Sequence, residues 1–421
     1  MIQREVLPNG IKVATERVPG VRSVSIEVTV TTGSRNESAK NSGISHFIEH
    51  MMFKGTQKRD AYEISKTLES VGGSLNAGTG RENTSYYAKV VDKDLPLAID
   101  LLSDILLNSL FSEQAIVQEK GVVVQEIKRD QDFPVALVRD LFARTIWPGH
   151  PLSQPILGRR SVIKDLRRQD ILDHLAQEYT PDRMVITAAG KLRHKEVVEM
   201  IEAAFGGLSG GPSARKMSPP VARSRVAIKR KSLEQVHLLL GAKGCSFADE
   251  RRFAITILNI ILGGGSSSRL FQEIREKRGL AYSIHSGAEM YRDAGLVSVY
   301  AGVDPTKFAQ VVDLVLAELS KLKARPVSDG ELQRAKELLK APLILGLEDT
   351  SSRAARLANS EVCFGRIVPV EELLAKIDGV TAQEVLGAAE QIFTSDGLTL
   401  VSIGPMSPDE YSKERLRILD P

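Results

Sequence analysis

The sequence predicts an α+β fold made of two related halves, and three observations support this. Short β-prone runs alternate with amphipathic helical patterns along a chain of 421 residues, a length that exceeds one hydrophobic core. A segment rich in Gly, Pro and Ser at 206–220 interrupts this alternation near the middle. Features on either side of that segment also recur at a nearly constant spacing, which indicates an internal repeat.

The repeat and the Gly-rich segment together predict the domain boundaries. An apolar strand ends at Gly190 in the first half and another at Gly404 in the second, an offset of 214 residues (404 − 190). We therefore expect two homologous domains, at 1–210 and 222–421, joined by a linker at 211–221.

The first half is predicted element by element from turn, alternation and capping signals. The Asn9-Gly10 pair marks a hairpin turn, and Asp60 with Glu63 forms a capping box that begins a helix. The expected elements are a hairpin over 4–16, a strand over 24–32, a helix over 43–53, a helix over 60–71, strands over 72–80 and 84–91, helices at about 94–108, 112–130 and 133–147, a loop over 148–160, a helix over 168–179, a strand over 184–189 and a helix at about 193–205.

Bulk properties exclude several classes of protein. The formal net charge is only +3, so nucleic acid and anionic membranes are not expected as main partners. Cys245 and Cys363 are the only cysteines, which indicates a reducing compartment without a disulfide framework. No apolar run approaches 18 residues, and the N-terminal residues enter strand and turn signals directly. A cytoplasmic location is the expectation.

A cluster of histidines within 43–56 is the strongest chemical signal in the chain. His46 and His50 stand four residues apart, so on a helix both imidazoles share one face about 6 Å apart along the axis. Glu49 lies beside that face, where a carboxylate can act as general base on a water polarised by a metal ion. The order His-x-x-Glu-His is the inverzincin signature. Chance spacing is the alternative, but two of only seven histidines fall in one five-residue window.

A catalytic zinc site needs a third protein ligand, and the helical pattern at 112–130 offers acids for it. Glu119 and Glu126 are two helical turns apart and share one face. The spacing alone leaves Glu126 as one of several possible acids, and Glu119 could be a solvated surface carboxylate.

The histidine motif followed by this pair of glutamates resembles the pitrilysin and insulysin family of metallopeptidases, which includes the mitochondrial processing peptidases. The resemblance implies that Glu126 is the third zinc ligand and that Glu119 supports the site from outside the ligand set. It also implies two domains, each a mainly antiparallel sheet packed against helices, that form the halves of a clamshell chamber. Because the chain is about half as long as the largest family members, the resemblance implies a homodimer of the short type.

The same resemblance implies further site residues. Arg275 and Tyr282, seven positions apart (282 − 275), match a family pair that contacts substrate near the scissile bond, and a homodimer would place them opposite the metal of the partner subunit. A cation and a phenol are suitable donors to a developing oxyanion. Asn76 and Ala77, in a small-residue strand, match the segment that binds the substrate main chain, in agreement with strand addition at a sheet edge. The alternative for Arg275 is an exposed surface charge, and that for Tyr282 is an aromatic residue at a helix end. The alternative for Asn76 and Ala77 is an ordinary twisted strand.

The sequence therefore predicts a zinc-dependent endopeptidase that cleaves peptides or unfolded segments inside a chamber formed by a dimer. A non-catalytic scaffold or core subunit of the same fold is the alternative, although such relatives carry a degraded motif. A metal-dependent hydrolase acting on another class of substrate is a third possibility.

Overall fold

The computed structural model describes residues 1–210, 217–407 and 410–418, and within these ranges it shows mixed helices and sheets. The predicted α+β class is confirmed. The linker expected at 211–221 falls largely outside the described residues. In the described part of the chain, no helix combines the length and apolar composition needed to cross a bilayer.

The elements follow the predicted order closely. In the first half they are β1 (Ile2–Val6), β2 (Lys12–Arg17), β3 (Ser23–Val30), α1 (Ile44–Met51), α2 (Ala61–Glu69), β4 (Ser74–Thr79), β5 (Thr84–Val91), α3 (Leu95–Asn108), α4 (Glu113–Asp132), α5 (Pro134–Ile146), α6 (Arg160–Asp165), α7 (Arg168–Glu178), β6 (Met184–Gly190) and α8 (His194–Phe205). In the second half they are β7 (Val226–Arg230), β8 (Val236–Lys243), α9 (Arg252–Gly263), a π-helix (Phe271–Glu276), β9 (Ala281–Met290), β10 (Gly295–Val303), α10 (Phe308–Ala324), α11 (Asp329–Leu345), α12 (Thr350–Phe364), α13 (Val370–Gly379), α14 (Ala382–Ile392) and β11 (Thr399–Gly404).

The described strands form two sheets of matching topology. One sheet has the order β1-β2-β6-β3-β5-β4 and the other β7-β11-β8-β10-β9. In each, one strand pair is parallel, β2 with β6 and β7 with β11, and the pairs that follow are antiparallel. Apart from β1, the order and direction of the strands agree one for one, so the repeat inferred from sequence extends to strand topology.

The compact units of the structure differ from two consecutive domains. The first comprises the described parts of Met1–Arg129, Gln154–Lys216 and Leu345–Val368, and the second comprises the remainder. Helix α12 from the second half thus packs on β2, β3 and β6, while α5 from the first half packs on β8 and β11. These two helices hold equivalent places in the repeat. Each half of the sequence therefore contributes its copy of this helix to the sheet formed by the strands of the other half. The domains expected at 1–210 and 222–421 stay a prediction from the sequence repeat, and the compact units group α5 and α12 differently.

Each exchanged helix is matched to the surface it covers. Helix α12 meets a polar sheet face, where the Ser25 and Thr350 hydroxyls lie 2.9 Å apart and Thr187 Oγ1 donates to the Ala354 carbonyl at 2.9 Å. Helix α5 instead meets an apolar face. It contributes to a cluster of buried side chains that consists of Val138, Phe142, Ile146, Trp147, Leu152, Leu239, Tyr291, Ala294, Leu296, Tyr300, Val401 and Ile403.

In the first unit, the opposite face of the sheet carries the core that positions the site. Val24, Ile26, Val28 and Val30 alternate along β3 and are all buried there, as their spacing predicts. Helix α1 packs into the same core through its apolar residues, which leaves the histidine side of the helix turned outward. The core therefore fixes the orientation of the predicted ligands.

Candidate metal centre

Helix α1 begins at a point of close backbone contact. Gly43 has φ +93°, a left-handed conformation that favours glycine, and a Cβ there would lie 2.7 Å from the Gly158 Cα atom. The buried Glu37 carboxylate accepts hydrogen bonds from the Gly43 amide at 2.6 Å and the Ser45 amide at 2.9 Å, which satisfies two donors at the helix start. Burial raises the pKa of Glu37 to about 8, despite the opposing effect of both amides. Sequence reasoning missed Glu37, because nothing local marks it as buried.

The three predicted ligands converge in the first unit. His46 Nε2 lies 3.8 Å from Glu126 Oε2, and His50 Nε2 lies 3.5 Å from the same oxygen. Among the described residues, His46, His50 and Glu126 form the group of side chains whose ligand atoms are close enough to hold one metal ion. Helix α1 supplies the two imidazoles and helix α4 supplies the carboxylate, although more than 60 residues separate the two helices in sequence.

The donor set fits a catalytic metal site. Tetrahedral bonds of about 2.0–2.1 Å place two ligand atoms about 3.3 Å apart, close to the observed separations. The Oε2 atom of Glu126 is buried and has no hydrogen-bond partner in the described part of the chain, an arrangement that costs free energy unless a cation binds there. Three protein ligands with a fourth position left open is the arrangement of hydrolytic rather than structural sites.

The two imidazoles differ in their electrostatic surroundings. Burial, reinforced by repulsion from His50, lowers the pKa of His46 to about 4, which favours the neutral ring, the form in which an imidazole can bind a metal. Burial also opposes protonation of His50, but its hydrogen bond to Glu119 and the nearby carboxylates outweigh this effect and raise the pKa of His50.

Glu119 is a hydrogen-bond partner of His50. Its Oε1 atom lies 2.8 Å from His50 Nδ1, and its Oε2 atom lies 2.7 Å from the Lys54 ammonium. The hydrogen bonds from His50 and Lys54 overcome the effect of burial and lower the pKa of Glu119. Because an ionised carboxylate can only accept, the His50 proton resides on Nδ1 and the Nε2 lone pair is left for a metal. Lys54, which sequence reasoning missed, completes this chain of contacts.

Glu49 stands next to the ligand cluster. Burial raises the pKa of Glu49, while hydrogen bonds from Thr79 and the charge of His50 lower it and the charge of Glu126 raises it again. Thr79 Oγ1 donates to Glu49 Oε2 at 2.5 Å. Sequence reasoning did not single out Thr79, since its contact to Glu49 spans 30 residues.

Asn76 and Ala77 lie on β4, which forms one edge of the sheet and contacts α1. Asn76 is exposed, and its Oδ1 atom accepts from the Ala77 amide at 2.8 Å. The predicted substrate-binding pair therefore lies on an edge strand beside the helix that carries the histidines.

Arg275 and Tyr282 come together in the second unit. The Arg275 guanidinium lies 5.8 Å from the centre of the Tyr282 ring and 4.8 Å from that of Phe271, within the range of cation–π contacts. Tyr282 is the second residue of β9 and has 79% of its surface exposed, so its hydroxyl is open to a ligand or a partner.

The chain matches two family models, one after the other. Residues 12–160 match the model described as Insulinase (Peptidase family M16), and residues 165–339 match the model described as Peptidase M16 inactive domain. A protein of Streptomyces coelicolor named an uncharacterized zinc protease is 39% identical over 420 residues, covering 98% of this chain and 91% of that relative. The chain belongs to peptidase family M16. The resemblance to pitrilysin and insulysin drawn from the sequence is confirmed.

Other M16 relatives and solved structures agree. The uncharacterized zinc protease YmxG of Bacillus subtilis is 37% identical over 403 residues, covering 96% of this chain and 98% of its own. The crystal structure of a protease from Helicobacter pylori aligns with a TM-score of 0.89 at 24% identity, covering 96% of this chain and 99% of that one. A peptidase M16 inactive domain from Pseudomonas fluorescens aligns with a TM-score of 0.91 at 19% identity, covering 96% of this chain and 98% of that one. These two structures support the fold.

The second unit of this M16 chain has a helix, α9, in the place that α1 holds in the repeat. Helix α9 spans Arg252–Gly263, contains no histidine and is largely apolar. The ligand cluster of the described residues accordingly lies in the first unit.

Proposed function

We propose that the chain is a zinc-dependent endopeptidase that cleaves peptides or unfolded segments. The observation that carries the proposal is the convergence of His46, His50 and Glu126 on one point, with Glu49 beside them. The relatives' names as zinc proteases support zinc as the metal and peptide bonds as the target. An imidazole, imidazole and carboxylate set is also typical of zinc hydrolases.

Zinc held by His46, His50 and Glu126 would supply a Lewis acid and lower the pKa of water at the open position to about 7. Glu49 is the general base: its carboxylate takes a proton from the attacking water and passes it to the departing amine. Burial raises the pKa of Glu49, which makes it a stronger base than an exposed glutamate. Glu119 keeps His50 in the tautomer that the site requires.

Substrate binding is assigned to the edge of β4. An extended peptide that pairs with this edge gains main-chain hydrogen bonds with little dependence on its side chains. Asn76 and Ala77 lie along that edge, on the strand that ends at Thr79. Strand addition favours peptides and unfolded segments over folded proteins, because a folded protein rarely offers an unpaired strand.

The remaining site residues are assigned to a homodimer. Arg275 and Tyr282 of one subunit donate hydrogen bonds to substrate at the metal of the other, where they stabilise the developing oxyanion. Their proximity in the second unit supports a joint role. The proposed chamber is formed by the two subunits together.

The direct test is Glu49→Gln, which keeps the size of the side chain but removes the base. We expect a full zinc content with loss of peptide turnover. His46→Ala is the matched variant, and we expect it to lose both the zinc and the peptide turnover. A scaffold role predicts instead that the purified wild-type chain holds far less than one zinc per chain, and undiminished turnover by the Glu49→Gln variant contradicts the assignment of the base.

The dimer is tested by mixing two inactive variants, Glu49→Gln and Tyr282→Phe. If each site uses both subunits, subunit exchange in an equal mixture restores about a quarter of wild-type activity, because half of the dimers then hold one intact site of two. A fully active monomer in light scattering at micromolar concentration, or a mixture that stays inactive after exchange, contradicts the proposal.

A further inference from the structure

One threonine connects the edge strand to the general base. Thr79 is the last residue of β4, and its hydroxyl donates to Glu49 Oε2 at 2.5 Å. Its backbone amide also donates to the same carboxylate, and both hydrogen bonds lower the pKa of Glu49. In the described part of the chain, Thr79 supplies both hydrogen bonds that this carboxylate accepts.

Thr79 is itself held firmly. It stands opposite Thr84 in the hairpin of β4 and β5, and the amide of Gly80 donates to the Asn83 carbonyl at 2.7 Å to close the turn. The Ser34 amide donates to the Gly80 carbonyl at 3.2 Å, and the Arg35 amide donates to the Arg81 carbonyl at 2.8 Å. The turn after Thr79 is thus fixed to the backbone segment that precedes α1.

We propose that Thr79 is a positioning residue that fixes the Glu49 carboxylate in its catalytic orientation and ties it to the strand that binds substrate. The proposal rests on the function proposed above, in which Glu49 is the base and β4 receives the peptide. A carboxylate at the end of a Glu side chain rotates freely about its last bond unless one oxygen is held. With Oε2 bonded to Thr79, the other oxygen remains available for the proton of the attacking water.

This role predicts a selective kinetic defect. Loss of the hydroxyl removes one of the two hydrogen bonds that hold the carboxylate, so the carboxylate is less firmly oriented and a smaller fraction of bound substrate meets a correctly placed base. It removes no metal ligand and no main-chain hydrogen bond of β4, so the zinc content and the affinity for peptide stay unchanged. The expected loss is in kcat, with KM preserved.

The experiment compares Thr79→Val, which is nearly isosteric but lacks the hydroxyl, with Thr79→Ser, which retains it. The matched control is Thr84→Val, which makes the same chemical change directly across the hairpin, where the buried hydroxyl donates to the Thr32 carbonyl at 3.0 Å. Measurements are kcat and KM for a fluorogenic peptide, zinc content, and the Kd of the uncleaved peptide in the Glu49→Gln background. The last two do not depend on turnover.

We expect Thr79→Val to lower kcat by roughly 10- to 100-fold, with zinc content and peptide Kd unchanged. Thr79→Ser restores most of kcat, and Thr84→Val keeps it. Wild-type kcat in Thr79→Val, or a fall in kcat that follows a loss of zinc or of peptide binding, overturns the proposal. An equal fall in Thr84→Val also overturns it, because general damage to the hairpin would then explain the defect. Failure of the zinc-loaded wild-type chain to cleave any peptide is a different result, which overturns the proposed function as well.

Discussion

Glu37, the buried carboxylate at the start of α1, is expected to make the stability of the protein depend on pH. The side chain is 3% exposed and accepts hydrogen bonds from the amides of Gly43 and Ser45. Burial raises the pKa of Glu37 from its ordinary value of 4.5 to about 8. In the unfolded chain the same group titrates near its ordinary value, so folding changes the number of protons that it holds.

The sign of the effect follows from this difference. Below about pH 4.5 Glu37 is protonated in both states, and its contribution to stability is fully present. Between about pH 4.5 and 8 the folded state keeps a proton that the unfolded state has released, so each rise in pH favours unfolding. The contribution is lost as the pH passes through the folded pKa of about 8.

The magnitude is set by the width of that interval. It spans about 3.5 pH units, and at about 1.4 kcal/mol per unit it corresponds to about 5 kcal/mol. This is a large fraction of the 5–15 kcal/mol by which folded proteins are usually stable. The effect should therefore be measurable above the smaller contributions of other groups.

The assay compares the wild-type chain with Glu37→Gln, which cannot ionise and which gives up one of the two acceptor oxygens at a cost that does not depend on pH. Free energies of unfolding in urea are measured from pH 5 to 9, together with hydrogen exchange of the Ser45 amide at the start of α1. We expect the wild type to lose stability relative to the variant as the pH rises. A difference between the two proteins that stays constant, or that changes in favour of the wild type at high pH, would refute the reasoning.

Two further predictions concern the metal and the exchanged helix. Glu119→Ala leaves His50 Nδ1 without its acceptor, and we expect zinc affinity, measured by competition with a chelating dye, to fall roughly 10- to 100-fold. Lys54→Met keeps the hydrogen bond between Glu119 and His50 and should lose less zinc affinity. An equal loss in both variants contradicts the role assigned to Glu119. Phe142→Ala empties a buried site on α5 and should lower the free energy of unfolding by about 3–5 kcal/mol, whereas Phe133→Ala, at a position 57% exposed, should change it by less than about 0.5 kcal/mol. If the two variants lose similar free energies of unfolding in a urea titration, α5 is not part of the core described for it.

Local spacing explains which parts of the site could be predicted from the sequence. His46, Glu49 and His50 lie within one turn and a half of helix, so their shared face follows from helix geometry alone. Capping boxes behave in the same way, and the one predicted at Asp60 and Glu63 is present with both of its hydrogen bonds. Signals of this kind depend only on residues a few positions apart.

The other parts depend on contacts between distant segments. Geometry on α4 restricted the third ligand to one face, but only the family resemblance selected Glu126. Glu37, Lys54 and Thr79 are ordinary polar residues in the sequence, and each gains its role from a partner that the fold brings close. The exchange of α5 and α12 was hidden for a related reason, since an amphipathic pattern shows that a helix has an apolar face but does not identify the sheet that covers it.

The exchanged helices show that the repeating unit of the sequence and the packed unit of the structure are different. The strand topology follows the boundary of the sequence repeat, while the packing of α5 and α12 follows a different boundary. A fragment ending at residue 210 would hold every proposed metal ligand but would lack the helix that satisfies Ser25 and Thr187, and it would carry α5 without the sheet on which it packs. A segment cut at the boundary of the repeat therefore leaves buried polar groups and an apolar helix face without the partners that they have in the full chain.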